Sequence, residues 1–330
     1  MGDRWKLNAP QWWTRDGAAE DVWANVEPLA FIAGVDEAQL LDAFDAATLQ
    51  PSRSGFVWRL DFSGRGAVAL KAHSPLRSPA HIAATLRAAE HYAAAGACVA
   101  PLSPDPVVGH TAALSLWPWV AHHPDLEGEV AFVAVAQASA VWHQQTAAAV
   151  PLPVRQPLNY LAVRLGQLRQ AGHTLLADEI AAGEALLHRL DETPSRLGMA
   201  VVHGDAHPTN LVGPPSASQL VDVDRVQHAP KAADLLRLAA ETAALAAPVA
   251  WWEESVALWA YRLGVAVDDV EEDVAAMLPA RVATSLASTA LIADYEPEVR
   301  PQVTRWRQAW TRIRRSGRPQ PVRELAGHHR

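Results

Sequence analysis

The sequence predicts an α+β protein: a small antiparallel sheet carrying one helix, followed by a larger and mainly helical region. Three observations lead there. Residues 47–75, "ATLQPSRSGFVWRLDFSGRGAVALKAHSP", hold three short β-type runs separated by Gly/Ser/Arg turns, as an antiparallel meander requires. From residue 129 onward, long Ala/Leu-rich segments with helical spacing dominate. One polar stretch, "VVHGDAHPTNLVGPPSASQLVDVDRV" (201–226), interrupts these helices with β-type pieces around it.

Within the first region, "FVWRLDF" partly alternates apolar and polar residues, and "AVALKA" is an apolar run carrying a single lysine, Lys71. "SPAHIAATLRAAEHYAAAG" (78–96) reads as a helix, with Ser78 and Pro79 at its start and Gly96 at its end. Two β-type pieces follow, "DPVVGH" and "TAALSLWPWV" (111–120). Residues 47–120 therefore read as β-β-β-α-β-β. The organisation expected is an N-terminal part over 1–120, including an extension at 1–45, and a helical C-terminal part over 121–330. Helices are expected over 129–147, 157–171, 175–192, 230–247, 250–263, 267–293 and 298–315. The basic, amphipathic "TRWRQAWTRIRRSGR" reads as a solvated helix face rather than a patch for nucleic acid or membrane.

Composition excludes several classes. At 330 residues, half of them apolar, the chain has material for one large domain or two ordinary ones. A formal charge of −8 argues against nucleic-acid binding and weakly favours a neutral or cationic substrate. The single cysteine, Cys98, rules out an internal disulfide framework and reads as a small buried hydrophobe. The N-terminus shows no signal-peptide core. No charge-poor apolar run of about 18 residues suggests a membrane span, since "AALAAPVAWW" (243–252) is short and broken by Pro248. The expectation is a soluble, reduced, cytoplasmic protein.

The polar stretch admits a metal site, a hydrolase's acid/base cluster or a phosphate-transfer centre, and its spacing favours the third. Asp205 and Asn210 are five apart, the spacing of the Asp and Asn in a kinase catalytic loop, and Asp222 follows after a turn and a strand-like "QLV". One amide oxygen and one carboxylate beside nucleotide phosphates suit Mg2+, which prefers oxygen ligands and keeps several waters.

His203-Gly204-Asp205, Asn210, Val221-Asp222-Val223-Asp224 and Asp234-Leu235 together resemble the aminoglycoside phosphotransferase/choline kinase-type family. "AVALKAHSP", "LSLWPWV" and "ASAVWHQQ" extend the likeness over about residues 45–240. The resemblance implies a bilobal protein-kinase-like fold, and an ATP- and Mg2+-dependent transfer of the γ-phosphoryl group to a hydroxyl of a small acceptor. It implies Asp205 as catalytic base, Asn210 and Asp222 as metal ligands, and Asp224 as a further metal ligand or a supporting acid. Lys71 would contact the ATP phosphates, and backbone near Trp117 and Trp119 would meet adenine. Ser52, Ser54 and Gly55 would cover the phosphates through backbone N–H groups. His203 and His207 would support the loop, and Asp234 would brace its backbone.

Two departures stand out. A Glu that pairs with the lysine is expected about nine residues before Gly96, where Arg87 stands; Glu90, one turn on, is either that partner or an exposed residue. The phosphate-covering turn "PSRSGF" has one glycine. Acids such as Glu253, Glu254, Asp268 and Asp269 would attract a cationic acceptor, or are ordinary solvated helix charges. Two competing readings stay open: a pseudokinase that binds nucleotide without turnover, and a metal-dependent hydrolase built on His203, Asp205 and His207.

Overall fold

A computed structural model describes residues 13–50 and 55–326. The chain opens with three helices, α1 (Arg15–Ala24), α2 (Val26–Ala33) and α3 (Glu37–Asp45). Their starts are set locally: Thr14 Oγ1 accepts from the Gly17 N–H, and Asp36 and Gln39 form a reciprocal capping box.

A five-stranded antiparallel sheet follows, formed by β1 (Thr48–Gln50), β2 (Gly55–Phe62), β3 (Gly66–His73), β4 (Val107–Val108) and β5 (Ala113–Pro118) in the order β1-β2-β3-β5-β4. Helix α4 (Pro79–Ala93) links β3 to β4, so the expected β-β-β-α-β-β order is observed. The two-residue period of a strand sorts the side chains onto two faces. Phe56, Trp58 and Leu60 of β2 share one face with Leu70 and Ala72 of β3, and pack against Val22, Leu29, Leu40 and Phe44 of the opening helices. The other face carries Lys71 and His73. The N-terminal extension is thus the sheet's cover, and it leaves the lysine face to the cleft.

Asp21 of α1 fastens that cover. Its carboxylate, 2% exposed, accepts from the backbone N–H groups of His110, Thr111 and Ala112 and from the Thr111 hydroxyl. Nothing in the sequence pointed to Asp21.

The remainder is mainly helical: α5 (Gly128–Gln144), α6 (Pro157–Gln170), α7 (Thr174–Ala181) and α8 (Glu184–Asp191) precede the polar stretch. The stretch itself folds into β6 (Met199–Val202), β7 (Leu211–Val212), β8 (Gln219–Leu220) and β9 (Gln227–Pro230), paired β6 with β9 and β7 with β8. Helices α9 (Leu236–Leu245), α10 (Val249–Leu263), α11 (Val267–Ala293), α12 (Arg300–Ser316) and α13 (Val322–Ala326) complete it. Trp142, Trp252, Trp259, Trp306 and Trp310 are all buried in one core spanning α5, α10 and α12. The basic stretch near the C-terminus is α12, and its Trp306, Trp310 and Ile313 face this core while arginines face outward.

Three expectations need correction. The helix expected over 175–192 is two helices broken at Gly183, where a Cβ would lie 2.5 Å from the Trp310 ring. Lys231–Leu235, expected to be α-helical, is a 3-10 turn before α9. One helix, α11, is long and apolar enough to cross a membrane by length and composition, contrary to the reading of the apolar runs; it is mostly buried, as the core helix of its lobe. Cys98 meets its expectation: it is buried, its Sγ donates to the Ala89 carbonyl, and burial pushes its thiol up to about 12.

Candidate active site

The cleft between the sheet and the helical lobe is built around the turn that follows β6. Gly204 adopts φ +80 with Arg225 O only 2.3 Å from where a Cβ would sit, so only glycine fits. Asp234 holds this turn from beneath. It accepts from the backbone N–H groups of His203 at 3.0 Å and Gly204 at 2.7 Å, and lies 3.1 Å from His143 Nε2. Burial alone would raise its pKa, but the His143 contact and these donors hold it below the ordinary carboxylate value. His203 turns inward, fully buried, with Nε2 3.0 Å from the Val221 carbonyl and its ring edge-on to Trp142. Asp234 and His203 are thus both hydrogen-bonded to backbone of this polar segment.

Asp205 emerges from this turn, and a short relay joins it to Asp222. Asn210 Nδ2 donates to the Asp205 carbonyl at 3.0 Å, and the Val221 N–H donates to the Asn210 carbonyl at 2.9 Å. Asp222 then sits in the left-handed region at φ 63, an uncommon position for a residue with a side chain. That backbone turns its carboxylate toward the sheet, where Lys71 Nζ lies 2.5 Å from Oδ1. Lys71 also lies 3.0 Å from Asp224 Oδ2, and His73 Nδ1 lies 3.0 Å from Asp224 Oδ1. Burial would lower the Lys71 pKa, yet Asp222 and Asp224 outweigh it and raise the ammonium above its ordinary value. His73 goes the other way: burial dominates and lowers it.

This geometry bears on two open alternatives. Glu90 is exposed on α4, and the ion partners of Lys71 are Asp222 and Asp224. Asp224 is 1% exposed, with Oδ2 facing the Lys71 ammonium and Oδ1 facing the His73 ring, so the carboxylate that keeps access to the cleft is Asp222, with 30% of its side chain exposed. A hard cation is matched by Asp222 and the Asn210 amide oxygen, whose amide nitrogen is already committed to Asp205. Asp224 meets the lysine, as the supporting-acid alternative expects. The hydrolase constellation does not assemble either. His203 is tied to Val221, and among the described residues no three His, Cys, Asp or Glu side chains gather as a metal site.

Gly55 opens β2 opposite His73, with Ala72 O 2.4 Å from where a Cβ would be, so backbone runs against backbone at the cleft's edge. Ser52 and Ser54 lie outside the described residues. At the other rim, the Trp119 N–H donates to the Ala67 carbonyl, and Trp117 Nε1 donates to Ser115. A donor for adenine would have to be another backbone group of that segment.

What sequence reasoning missed is a ring of arginines. Arg225 Nε stands 3.5 Å and Arg281 Nη2 3.7 Å from the Asp205 carboxylate, with His207 Nε2 at 3.9 Å. Burial favours a neutral Asp205, but Arg225 first, then His207, Arg281 and Arg237, hold its pKa far below 3.8. His207 is pushed down to about 4, chiefly by burial, and is neutral near pH 7. The signals were present: Arg225 directly follows "DVD", and Arg281 is a lone charge within the apolar "MLPARVATSLA". Glu253, Glu254 and Asp268 are exposed, Asp269 lies near Arg196, and none of the four lines the cavity beside Asp205.

No protein-family model and no curated protein matches the sequence. Solved structures do match the fold. The chain is similar to an amicoumacin kinase solved with AMP-PNP, Ca2+ and Ami, at TM-score 0.62 and 14% identity over 89% of this chain and 98% of that one. It is similar to a choline/ethanolamine kinase family protein from Mesorhizobium loti, at TM-score 0.61 and 15% identity over 94% and 99%. An aminoglycoside phosphotransferase from Alicyclobacillus acidocaldarius follows at TM-score 0.52 and 18% identity over 89% and 96%. At such identities the likeness establishes the architecture, a bilobal kinase-like α+β fold, which is the one the motifs implied.

Proposed function

We propose that this chain is an ATP- and Mg2+-dependent kinase that transfers the γ-phosphoryl group to a hydroxyl of a small molecule. One observation carries the reading: the buried Lys71 of the sheet meets Asp222 at 2.5 Å, while Asn210 ties the same segment to Asp205. A phosphate-binding cation, two hard-metal ligands and a carboxylate for the acceptor thereby share one cleft.

Phosphoryl transfer through a loose transition state asks mainly for position and charge neutralisation. Lys71, kept charged by its two aspartates, would bind phosphate oxygens. Asn210 and Asp222 would hold Mg2+, which when bound would neutralise charge on the transferred group. Asp205 is ionised throughout the physiological range. Its low basicity suits a group that orients the acceptor hydroxyl and takes the proton late, when the oxygen has become strongly acidic. The fold's likeness to solved kinases supports the class of reaction.

The test is turnover of ATP with a panel of hydroxylated small molecules, wild type against Asp205→Asn. The variant is expected to lose turnover by a factor of about 10² to 10⁴ while still binding ATP. Undiminished phosphoester hydrolysis without ATP would sink the proposal. The exposed Glu90 favours the pseudokinase as a second reading. That reading takes over if ATP binds and no acceptor is turned over.

A further inference from the structure

Beside Asp205 lies a cavity of about 440 Å³, the size of a small-metabolite site, with neither Trp117 nor Trp119 in its wall. Six arginines line it: Arg77, Arg155, Arg164, Arg225, Arg237 and Arg281. Among the described residues, the carboxylates in its wall are Asp205 and Asp224. Asp224 is already committed to Lys71 and His73, and Asp205 is shared between Arg225 and Arg281. Arg237 has its own partner in Glu241, at 2.5 Å. In a chain of net charge −8, this wall carries a clear excess of positive charge.

Arg281 sharpens the point. It projects from the buried helix α11, its side chain only 15% exposed. Its nearest carboxylate oxygen, at 3.7 Å, is too distant for a hydrogen bond, and its Nε meets no acceptor among the described residues. Burial, followed by the neighbouring Arg237, pushes its pKa down to about 10. A buried guanidinium is costly unless a carboxylate or phosphate satisfies its planar fork. Arg164 and Arg225 lie against the Tyr160 ring, 4.8 and 5.5 Å from its centroid, and are thereby aimed into the same space.

We propose that the acceptor is a hydroxylated anion, a small molecule carrying a carboxylate or phosphate that Arg281 and its neighbouring arginines bind while its hydroxyl lies at Asp205. The inference rests on the kinase reading of the site, and it replaces the neutral or cationic substrate that the overall charge suggested. A quaternary or primary ammonium would enter a wall of like charge. An acid would instead supply the missing counter-charge and fix which hydroxyl points at Asp205.

The probes are malonate, inorganic phosphate and tetramethylammonium, titrated by calorimetry into the full chain with and without saturating AMP-PNP and Mg2+. The nucleotide complex keeps the probes out of the ATP phosphate site. At least one anion is expected to bind saturably in that complex, and Arg281→Met to weaken it about tenfold or more. The loss of one charge-assisted contact is of that order. Stronger binding of malonate assigns a carboxylate to the acceptor; stronger binding of phosphate assigns a phosphate ester. Thr284→Glu, at a half-buried lining position one turn from Arg281, leaves every arginine in the sequence but adds a competing carboxylate, and is expected to abolish anion binding if Arg281→Met does not fold. Anion binding unchanged by both variants, or no saturable anion binding at tens of millimolar, overturns the inference. So does tighter binding of tetramethylammonium. If malonate binds but AMP-PNP does not, the kinase reading fails and the anion site stands. If an amino alcohol is turned over with ATP and no anion binds, the reverse holds.

Discussion

Asp205 owes its charge state to neighbours, and those neighbours are testable one at a time. Burial pulls the carboxyl toward its neutral form, and Arg225 is the largest force against it. Replacing Arg225 by Gln is expected to raise the Asp205 pKa by about one unit or more. The acid limb of the kcat–pH profile should move upward by the same amount. A limb that stays in place would mean that another group controls it. The stability linkage has a definite sign. Because the folded pKa lies below the ordinary 3.8, the contribution of Asp205 to folding is complete above about pH 4 and disappears as the pH falls below it. Arg225→Gln should therefore flatten the acid-denaturation curve in that range. Gly204 is the second pressure point. An alanine there would need a left-handed backbone and would collide with Arg225 O at 2.3 Å. The conformational strain alone is worth about 1–3 kcal/mol. Gly204→Ala is expected to lower the melting temperature and kcat together, because the collision lies between the two segments that carry Asp205 and Asp222.

Among the elements, α1 shows how a polar residue can decide where an apolar surface goes. The apolar side of the sheet, with Phe56, Trp58 and Leu60, needs a cover, and the opening helices supply it. Asp21 fixes their position by satisfying three successive backbone donors before β5. Asp21→Ala would leave these three N–H groups, of which the Ala112 one is buried, without their acceptor, at a cost of about 3 kcal/mol. The expected result is a lower unfolding midpoint and faster hydrogen exchange in α1 and residues 109–112, with α5 and α10 protected as before. Such a contact joins residues about ninety positions apart, so no local pattern announces it. By contrast, β2, β3 and α4 were legible, because alternation, the Ser78-Pro79 start and the Gly/Ser turns are local signals. The break between α7 and α8 was not. Gly183 is required by the ring of Trp310, which arrives from the far end of the chain. β9 was missed for a related reason: "QHAP" has no strand pattern of its own and is held by pairing with β6.

At the scale of the whole molecule, two apolar cores, one beneath the sheet and one within the helices, meet across a polar clasp. Lys71 and His73 reach from the sheet to Asp222 and Asp224 of the helical lobe, and α4 runs alongside. The motif made Asp205, Asn210 and Asp222 legible, because their order along one short stretch is itself the signal. The division of labour between Asp222 and Asp224 was not legible, since it depends on a lysine about 150 residues earlier. The two aspartates separate in a single experiment, the thermal stabilisation by AMP-PNP measured with and without Mg2+. A ligand at a hundred times its Kd stabilises by about 2.7 kcal/mol. If Asp222 holds Mg2+ as proposed, Asp222→Asn should abolish the Mg2+-dependent part of that gain. Asp224→Asn leaves Asn210 and Asp222 in place but deprives buried Lys71 of one of its two carboxylates and His73 of its carboxylate partner. It should lower the stability of the free protein by about 3 kcal/mol, speed hydrogen exchange in β3 and α4, and leave the Mg2+ increment in place. If Asp224→Asn instead erased the Mg2+ increment while the free protein kept its stability, Asp224 would be a metal ligand after all. The clasp between the lobes would then rest on Asp222 alone.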